Sequence, residues 1–228
     1  MSEPPASQPP MPEALAQALA PFGLILRGGL RPDADAGAPP GVGTLLLIGN
    51  AGRALWRAFG QNRAAGPDPL NRWTERVVRP LAGRVGARAL FPFEGPPYWP
   101  FQRWALAAEP VRASPLGLLI HPRYGLWHAY RGALAFEATD LALPPRGAAP
   151  DPCGVCAAEP CLTACPVGAF GGRGYDLPAC LDHIRSPAGT DCLSAGCRAR
   201  RACPVGQEYA YERAQARFHM SAFERNQP

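Results

Sequence analysis

The feature that most constrains this chain is the placement of its cysteines. The first 152 residues contain none, and all eight fall between Cys153 and Cys203. One stretch from Cys153 to Pro166, "CGVCAAEPCLTACP", holds Cys153, Cys156, Cys161 and Cys165. Cys180, Cys192, Cys197 and Cys203 follow. Cys165 and Cys203 are each followed by Pro-Val-Gly, so CPVG occurs twice, a weak internal repeat of the kind a two-fold module leaves. A block this dense in sulfur serves disulfides, metal or thiol chemistry.

Compartment and composition narrow that choice. The opening "MSEPPASQPPMPEALAQ" has no basic start, and the first positive side chain is Arg27, which argues against a secretory signal. No run approaches the ~18 apolar residues of a membrane span. The expectation is a cytoplasmic protein without a membrane partner, where structural disulfides are rare. All 23 basic residues are arginine. The absence of lysine excludes a Walker-A site, Schiff-base catalysis and pyridoxal phosphate attachment. The net charge of +5 is scattered, which fits a solvated surface better than a nucleic-acid groove. Arg198, Arg200 and Arg201 cluster beside the last cysteines, where they suit an acidic redox partner protein.

Zinc ribbons usually pair two Cys-x2-Cys knuckles. This chain has one, and Cys-Pro endings are not a zinc habit. Iron–sulfur proteins use Cys-x2-Cys-x2-Cys-x3-Cys-Pro, with the fourth cysteine serving the other cluster. The proline removes a backbone donor and sets the turn that sends that cysteine away from its neighbours. The expectation is two [4Fe–4S] clusters. The crossed rule assigns Cys153, Cys156, Cys161 and Cys203 to one, and Cys165, Cys180, Cys192 and Cys197 to the other. The spacings depart from the pattern: four residues separate Cys156 from Cys161, and Cys192-x4-Cys197-x5-Cys203 is looser still. Cluster nuclearity stays open on this count, and a zinc-stabilised interaction protein remains an alternative.

Upstream, residues 1–20 read as a disordered, then helical, extension, with "PEALAQALA" as the helix. "LILRGGL" and "TLLLIG" read as strands around a loop, and "NAGRALWRAFGQ" as a helix with Asn50 near its N-cap. "GNAG" lacks the full G-x-G-x-x-G of a dinucleotide loop. Asp68 and Pro69 can open a helix whose Leu70, Trp73, Val77, Val78 and Leu81 share one apolar face. Phe101, Trp104, Ala105 and Ala108 have helical spacing. "ARALFPF", "LGLLIH" and "AYRGALAFEA" read as strands. The mixed order predicts an α+β domain with a mainly antiparallel sheet over 21–145. "ALPPRGAAPDP" links it to a cysteine module over 146–208. "GQEYAYERAQARFHMSAF" reads as a final helix, with 209–228 as its segment.

The cysteine block resembles dicluster bacterial ferredoxins, and more closely the ferredoxin module of epoxyqueuosine reductases and reductive dehalogenases. Those proteins also place a lone cysteine after the first motif, as "YDLPACLDHI" does with Cys180. In them a corrinoid-binding domain precedes the clusters and electrons pass to cobalt. "GLLIHPRYGLWHAYRGAL" is similar to the signature of the cobalamin-processing protein of the methylmalonic aciduria and homocystinuria type C family. "DPLNRWTERVVRPLAGRV" is similar to an earlier helix of it. That resemblance implies a flavin-reductase-like α+β fold and a cobalamin ligand.

It also singles out residues. His121 and His128 flank "PRYGLW", and a histidine can ligate cobalt or hydrogen-bond a tetrapyrrole side chain. It can equally be satisfied within a turn. Tyr124, Gly125 and Trp127 form a turn and an aromatic that let a flat macrocycle approach, or a tight hairpin with a core tryptophan. Departures are plain: the reductase has a larger N-terminal region and a C-terminal helical-repeat domain. Its acidic proton donor has only Glu94 as a nearby counterpart. Two readings of function follow. One is an electron carrier with two clusters and a redox partner. The other is a corrinoid-dependent oxidoreductase or cobalamin-processing enzyme.

Overall fold

A computed structural model describes residues 11–171 and 174–227. The disordered segment expected at the N-terminus falls almost wholly outside the described residues. The chain divides into two compact units. The first comprises 1–50, 57–109 and 130–146; the second comprises 51–56, 110–129 and 147–228. The "IHPRYGLWH" stretch therefore belongs to the same unit as the cysteines.

The first unit carries a four-stranded sheet in the order β1-β2-β6-β3. Its strands are β1 (Ile25–Leu30), β2 (Thr44–Ala51), β3 (Arg88–Leu90) and β6 (His128–Phe136). β1 pairs antiparallel with β2, and β3 with β6. The expected α+β class with a mainly antiparallel sheet is borne out. β2 is buried from Thr44 to Asn50, and β6 from Gly132 to Phe136, so neither shows a polar face. Both faces are covered, which erases the usual alternation. β2 runs through Asn50 to Ala51, and the next helix, α2, spans Ala54–Gln61. Asn50 is thus a buried strand residue rather than a helix cap.

α1 (Met11–Leu19) covers β1 with Leu15 and Leu19. α3 (Pro69–Arg84) buries Leu70, Trp73, Val78 and Leu81 as the periodicity predicts. Asp68 stands at its N-cap position but in left-handed conformation (φ 42), and its side chain makes no cap hydrogen bond. α4 (Phe101–Ala108) buries all four residues that the spacing picks out and packs on β1. A charged cluster lies in this unit. Arg27 Nε donates to Glu109 Oε1 at 2.8 Å, with side-chain exposures of 1% and 9%. The Tyr130 hydroxyl donates to Glu109 Oε2. Glu94, the nearest acid to the reductase's proton donor, accepts from Arg79 and from the Phe91 N–H.

The second unit is built from short pieces. The hairpins are β4 (Arg112–Ala113) with β5 (Leu119–Ile120), and β7 (Phe170–Gly171) with β8 (Gly174–Tyr175). The helices are α5 (Pro160–Thr163), α6 (Leu177–Arg185), α7 (Thr190–Ala195), α8 (Arg198–Ala202) and α9 (Arg213–Arg225). α7 packs on α9, and α5 on α8. The final helix starts at Arg213, later than the sequence suggests. Before it, Tyr209 packs edge-on against Tyr124, and Tyr211 packs against Trp127. These contacts hold the approach in an irregular path.

Candidate metal centre

Sulfur packs into the second unit as core. Cys203 is buried among Leu116, Ile120, Leu126 and Ala199, with Cys153, Cys161, Cys165 and Cys197 against that cluster. Cys192 is buried with Leu181 and Ile184, and Cys180 packs beside them. All eight cysteines are free thiols.

The widened Cys156–Cys161 gap has a local explanation. The Cys153 N–H donates to Asp151 Oδ1 at 3.0 Å. The Cys156 N–H then donates to Cys153 O at 3.1 Å, and the Glu159 N–H to Cys156 O at 3.4 Å. The extra residues add a second turn, closed by Glu159 at φ 36. α5 follows with Pro160 at its start and presents Cys161. The longer loop folds back and returns the sulfur to its group.

Cys153, Cys156, Cys161 and Cys203 line one small cavity together with Ile120 and Val205. Burial pushes the Cys153 thiol up to about 11; the charges of Asp151, Cys203, Cys161 and Cys156 add to the rise. Cys161 is raised by burial first and then by Cys203, against its own N–H and that of Leu162. Of the other four cysteines, Cys165 and Cys197 pack against the cluster around Cys203, and Cys180 and Cys192 beside Leu181 and Ile184. Burial raises Cys180, and the charges of Cys165 and Cys192 add to it. Burial raises Cys197 likewise, with Cys192 and Cys180 adding and the N–H groups of Ala199 and Arg200 opposing. The second pair of donors is the start of α8, where Cys197 holds the N-cap position. Thiols raised in this way are poor nucleophiles. A metal must displace their protons to bind.

Among the described residues, no three His, Cys, Asp or Glu side chains are arranged to hold a single metal ion. A four-iron cluster asks for something different. Each thiolate binds its own iron, so the sulfurs surround a cube rather than converge on one centre.

The residues nominated for a macrocycle lie in this unit and engage its own atoms. His121 Nδ1 accepts from the N–H groups of Arg123 and Tyr124 at 3.0 and 3.2 Å. Its ring stacks on Tyr124, centroids 4.4 Å apart. His128 Nε2 donates to Leu119 O at 3.0 Å. Trp127 is buried, with the Arg200 guanidinium over its ring at 4.6 Å. Gly125 has φ 56, and a Cβ there would stand 1.9 Å from Val205 O. The close approach its lack of a side chain permits is taken by the loop after Cys203.

The arginine cluster is also engaged. Arg198 Nε donates to Asp191 Oδ2 at 2.8 Å, and Arg201 donates to the same oxygen. These bonds hold the Asp191 carboxyl below its usual range. Arg200 donates twice to Leu126 O and lies 4.6 Å from the rings of Trp127 and Tyr211. The three arginines tie α7, α8 and the 126–127 segment together.

Sequence reasoning passed over Tyr175. With Cys180 it lines an apolar cavity of about 270 Å³. The signal was present as a tyrosine five residues before Cys180 in "YDLPAC". Nothing in the spacing says where the β7–β8 hairpin aims it.

No family model matches this chain, and no curated protein matches it. A solved structure of epoxyqueuosine reductase from Streptococcus thermophilus is similar to it, with 15% identity and a TM-score of 0.42. The match covers 75% of this chain and 51% of that one, so the chain spans about half its length. At that distance the likeness carries no argument about function.

Proposed function

We propose that this chain is an iron–sulfur electron-transfer protein whose two groups of four cysteines each hold a [4Fe–4S] cluster. One observation carries the reading: a cysteine from the end of the block joins three from its start. Cys203, from the second CPVG, lines the cavity of Cys153, Cys156 and Cys161. The charges of Cys165 and Cys192 act on Cys180, and those of Cys192 and Cys180 on Cys197, which supports a second set of four. This is the crossing that the Cys-Pro pattern calls for. The donor set fits the group: thiolate ligands, a largely apolar surround, and N–H groups aimed at sulfur.

When bound, such clusters take up and release single electrons. The chain's own part is to hold the sulfurs, shield them and tune them. Leu116, Ile120, Leu126 and Ala199 exclude water from the side of Cys203. The Ala169 N–H donates to Cys165 Sγ at 3.3 Å, and the start of α8 donates to Cys197. Electrons pass to a redox partner protein. A corrinoid accepted at the His121–His128 segment would extend the reading to an oxidoreductase. Iron and acid-labile sulfide in anaerobically purified protein test the proposal. About eight of each per chain is the expected result for two four-iron clusters. Bound zinc without sulfide overturns it.

A further inference from the structure

Several features of the chain are already accounted for by packing. The Arg27–Glu109–Tyr130 cluster is internally paired, and His121 accepts from N–H groups of its own turn. The apolar cavity of about 270 Å³ in the second unit is different. Leu118 and Tyr175 line it and are 43% and 42% exposed, so its rim is apolar and open to solvent. Cys180 and Cys197 stand in its wall, whereas Cys165 and Cys192 do not. The space therefore runs from one side of the second set of cysteines toward α9, which contributes Met220 and Phe223.

Much of that wall is aromatic. Phe170 and Tyr175 stack at 5.0 Å with 9° between planes. Tyr211 packs on Trp127 at 5.4 Å and beside His219 at 5.5 Å. The charge in the wall is positive. The Arg200 guanidinium lies 4.6 Å from the rings of Trp127 and Tyr211, and no Asp or Glu is among the described residues that line the space. Trp127 is 3% exposed, and its indole N–H finds no acceptor among the described residues. An indole nitrogen only donates. A buried donor without an acceptor is destabilising, and a ligand that brings an acceptor removes that penalty.

We propose that this cavity binds a small neutral quinone, a flat apolar ring whose carbonyl oxygen accepts from the Trp127 N–H. Each attribute answers to the wall. Aromatic walls favour a flat ring in stacked or edge-on contact. The apolar rim and lining favour an apolar body with one polar anchor. Arg200 disfavours a cation, and thiolate charge at Cys180 and Cys197 disfavours an anion. The volume lies just below the ~300–1,000 Å³ of pockets for drug-sized ligands. The occupant is thus one or two fused rings, far short of a macrocycle. The choice of a redox-active ring rests on the cluster reading above, because a molecule beside Cys180 and Cys197 borders a group that releases electrons.

The test is equilibrium dialysis of duroquinone against the oxidised chain purified without oxygen. Duroquinone is fully methylated, so it does not add thiols. Durene, the same methylated ring without carbonyls, is the comparison. Iron and sulfide are measured first. A chain without them sinks the cluster reading, and with it the choice of a redox-active ring, at that step. The loaded chain is expected to bind duroquinone saturably, roughly three- to tenfold tighter than durene, the worth of one hydrogen bond. Trp127→Phe keeps a ring and removes the donor, so it should bring duroquinone down to the level of durene. Absent binding, or equal binding of the two compounds to wild type, overturns the proposal. So does binding to metal-free chain that vanishes once iron and sulfide are loaded, since the space is then the cluster's own. If Trp127→Phe does not fold, Leu118→Asp at the exposed rim decides. It should weaken duroquinone about tenfold by making the mouth polar, and unchanged binding overturns the proposal.

Discussion

Replacing Gly125 by alanine probes how the second unit holds Cys203. An alanine at this position meets two penalties. The first is conformational: Gly125 sits at φ 56, and an L-residue in the left-handed region costs roughly 1–2 kcal/mol. The second is steric. The new Cβ would stand 1.9 Å from Val205 O and 2.7 Å from Val205 C. Neither atom is the end of a flexible side chain, so the loop after Cys203 must shift. Overpacking of this kind typically costs a further ~1–3 kcal/mol. The reciprocal contact is as tight, since a Cβ at Gly206 would stand 2.4 Å from Tyr124 C. Gly117 supplies the control. It has φ 71 and nothing within 4 Å of its would-be Cβ, so Gly117→Ala carries the first penalty alone. Anaerobic urea unfolding of the two variants should place Gly125→Ala about 1–3 kcal/mol below Gly117→Ala. Because Val205 lies two residues past Cys203, Gly125→Ala should also lower iron content, which Gly117→Ala leaves intact. Equal stabilities and equal iron in the two variants would refute the close packing of this turn on the CPVG loop.

Four further outcomes follow from other parts of the molecule. Glu109→Gln leaves Arg27 buried beside a neutral partner and should destabilise the chain by about 3–5 kcal/mol in thermal unfolding. Tyr130→Phe, which leaves the ion pair intact, should cost only ~1–3 kcal/mol. Burial and Glu109 raise Tyr130, with Arg27 opposing, so the folded state holds that proton more tightly than the unfolded state. Its contribution is then complete below pH ~10, the ordinary tyrosine value, and declines above it. Tyr130→Phe should flatten this decline, and an unchanged alkaline profile would count against the assignment. Stripping metal with a chelator should lose amide protection in 147–203 while 44–50 keeps its protection, because bound metal contributes folding free energy only where its ligands lie. Uniform loss would argue that the units do not fold separately. Titration with hydroxocobalamin should leave the visible spectrum of a pure electron carrier unchanged. Stoichiometric binding with a spectral shift would instead establish the corrinoid extension at the His121–His128 segment.

The elements that were legible in the sequence are those whose packing is one-sided. Leu70, Trp73, Val78 and Leu81 make α3 readable, and Phe101, Trp104, Ala105 and Ala108 do so for α4. The end of β2 was misread because Asn50 looks like a cap, whereas the strand carries it into a buried position. α9 starts later than the sequence suggests because Tyr209 and Tyr211, just before it, are held by Tyr124 and Trp127, far away in sequence. At the site, the two CPVG stretches and the crossed Cys-Pro rule are the sequence signals behind the proposed division of the cysteines into fours. Gly125 was noticed as a place of close approach, but the approaching group, Val205, is 80 residues downstream and no local pattern names it.

The most direct test of the central claim is native mass spectrometry of the chain purified without oxygen. The account predicts a mass above that of the bare polypeptide by two Fe4S4 units, each lost as a unit on collisional activation. A chain carrying zinc ions alone, or one that stays bare after reconstitution with iron and sulfide, would contradict it.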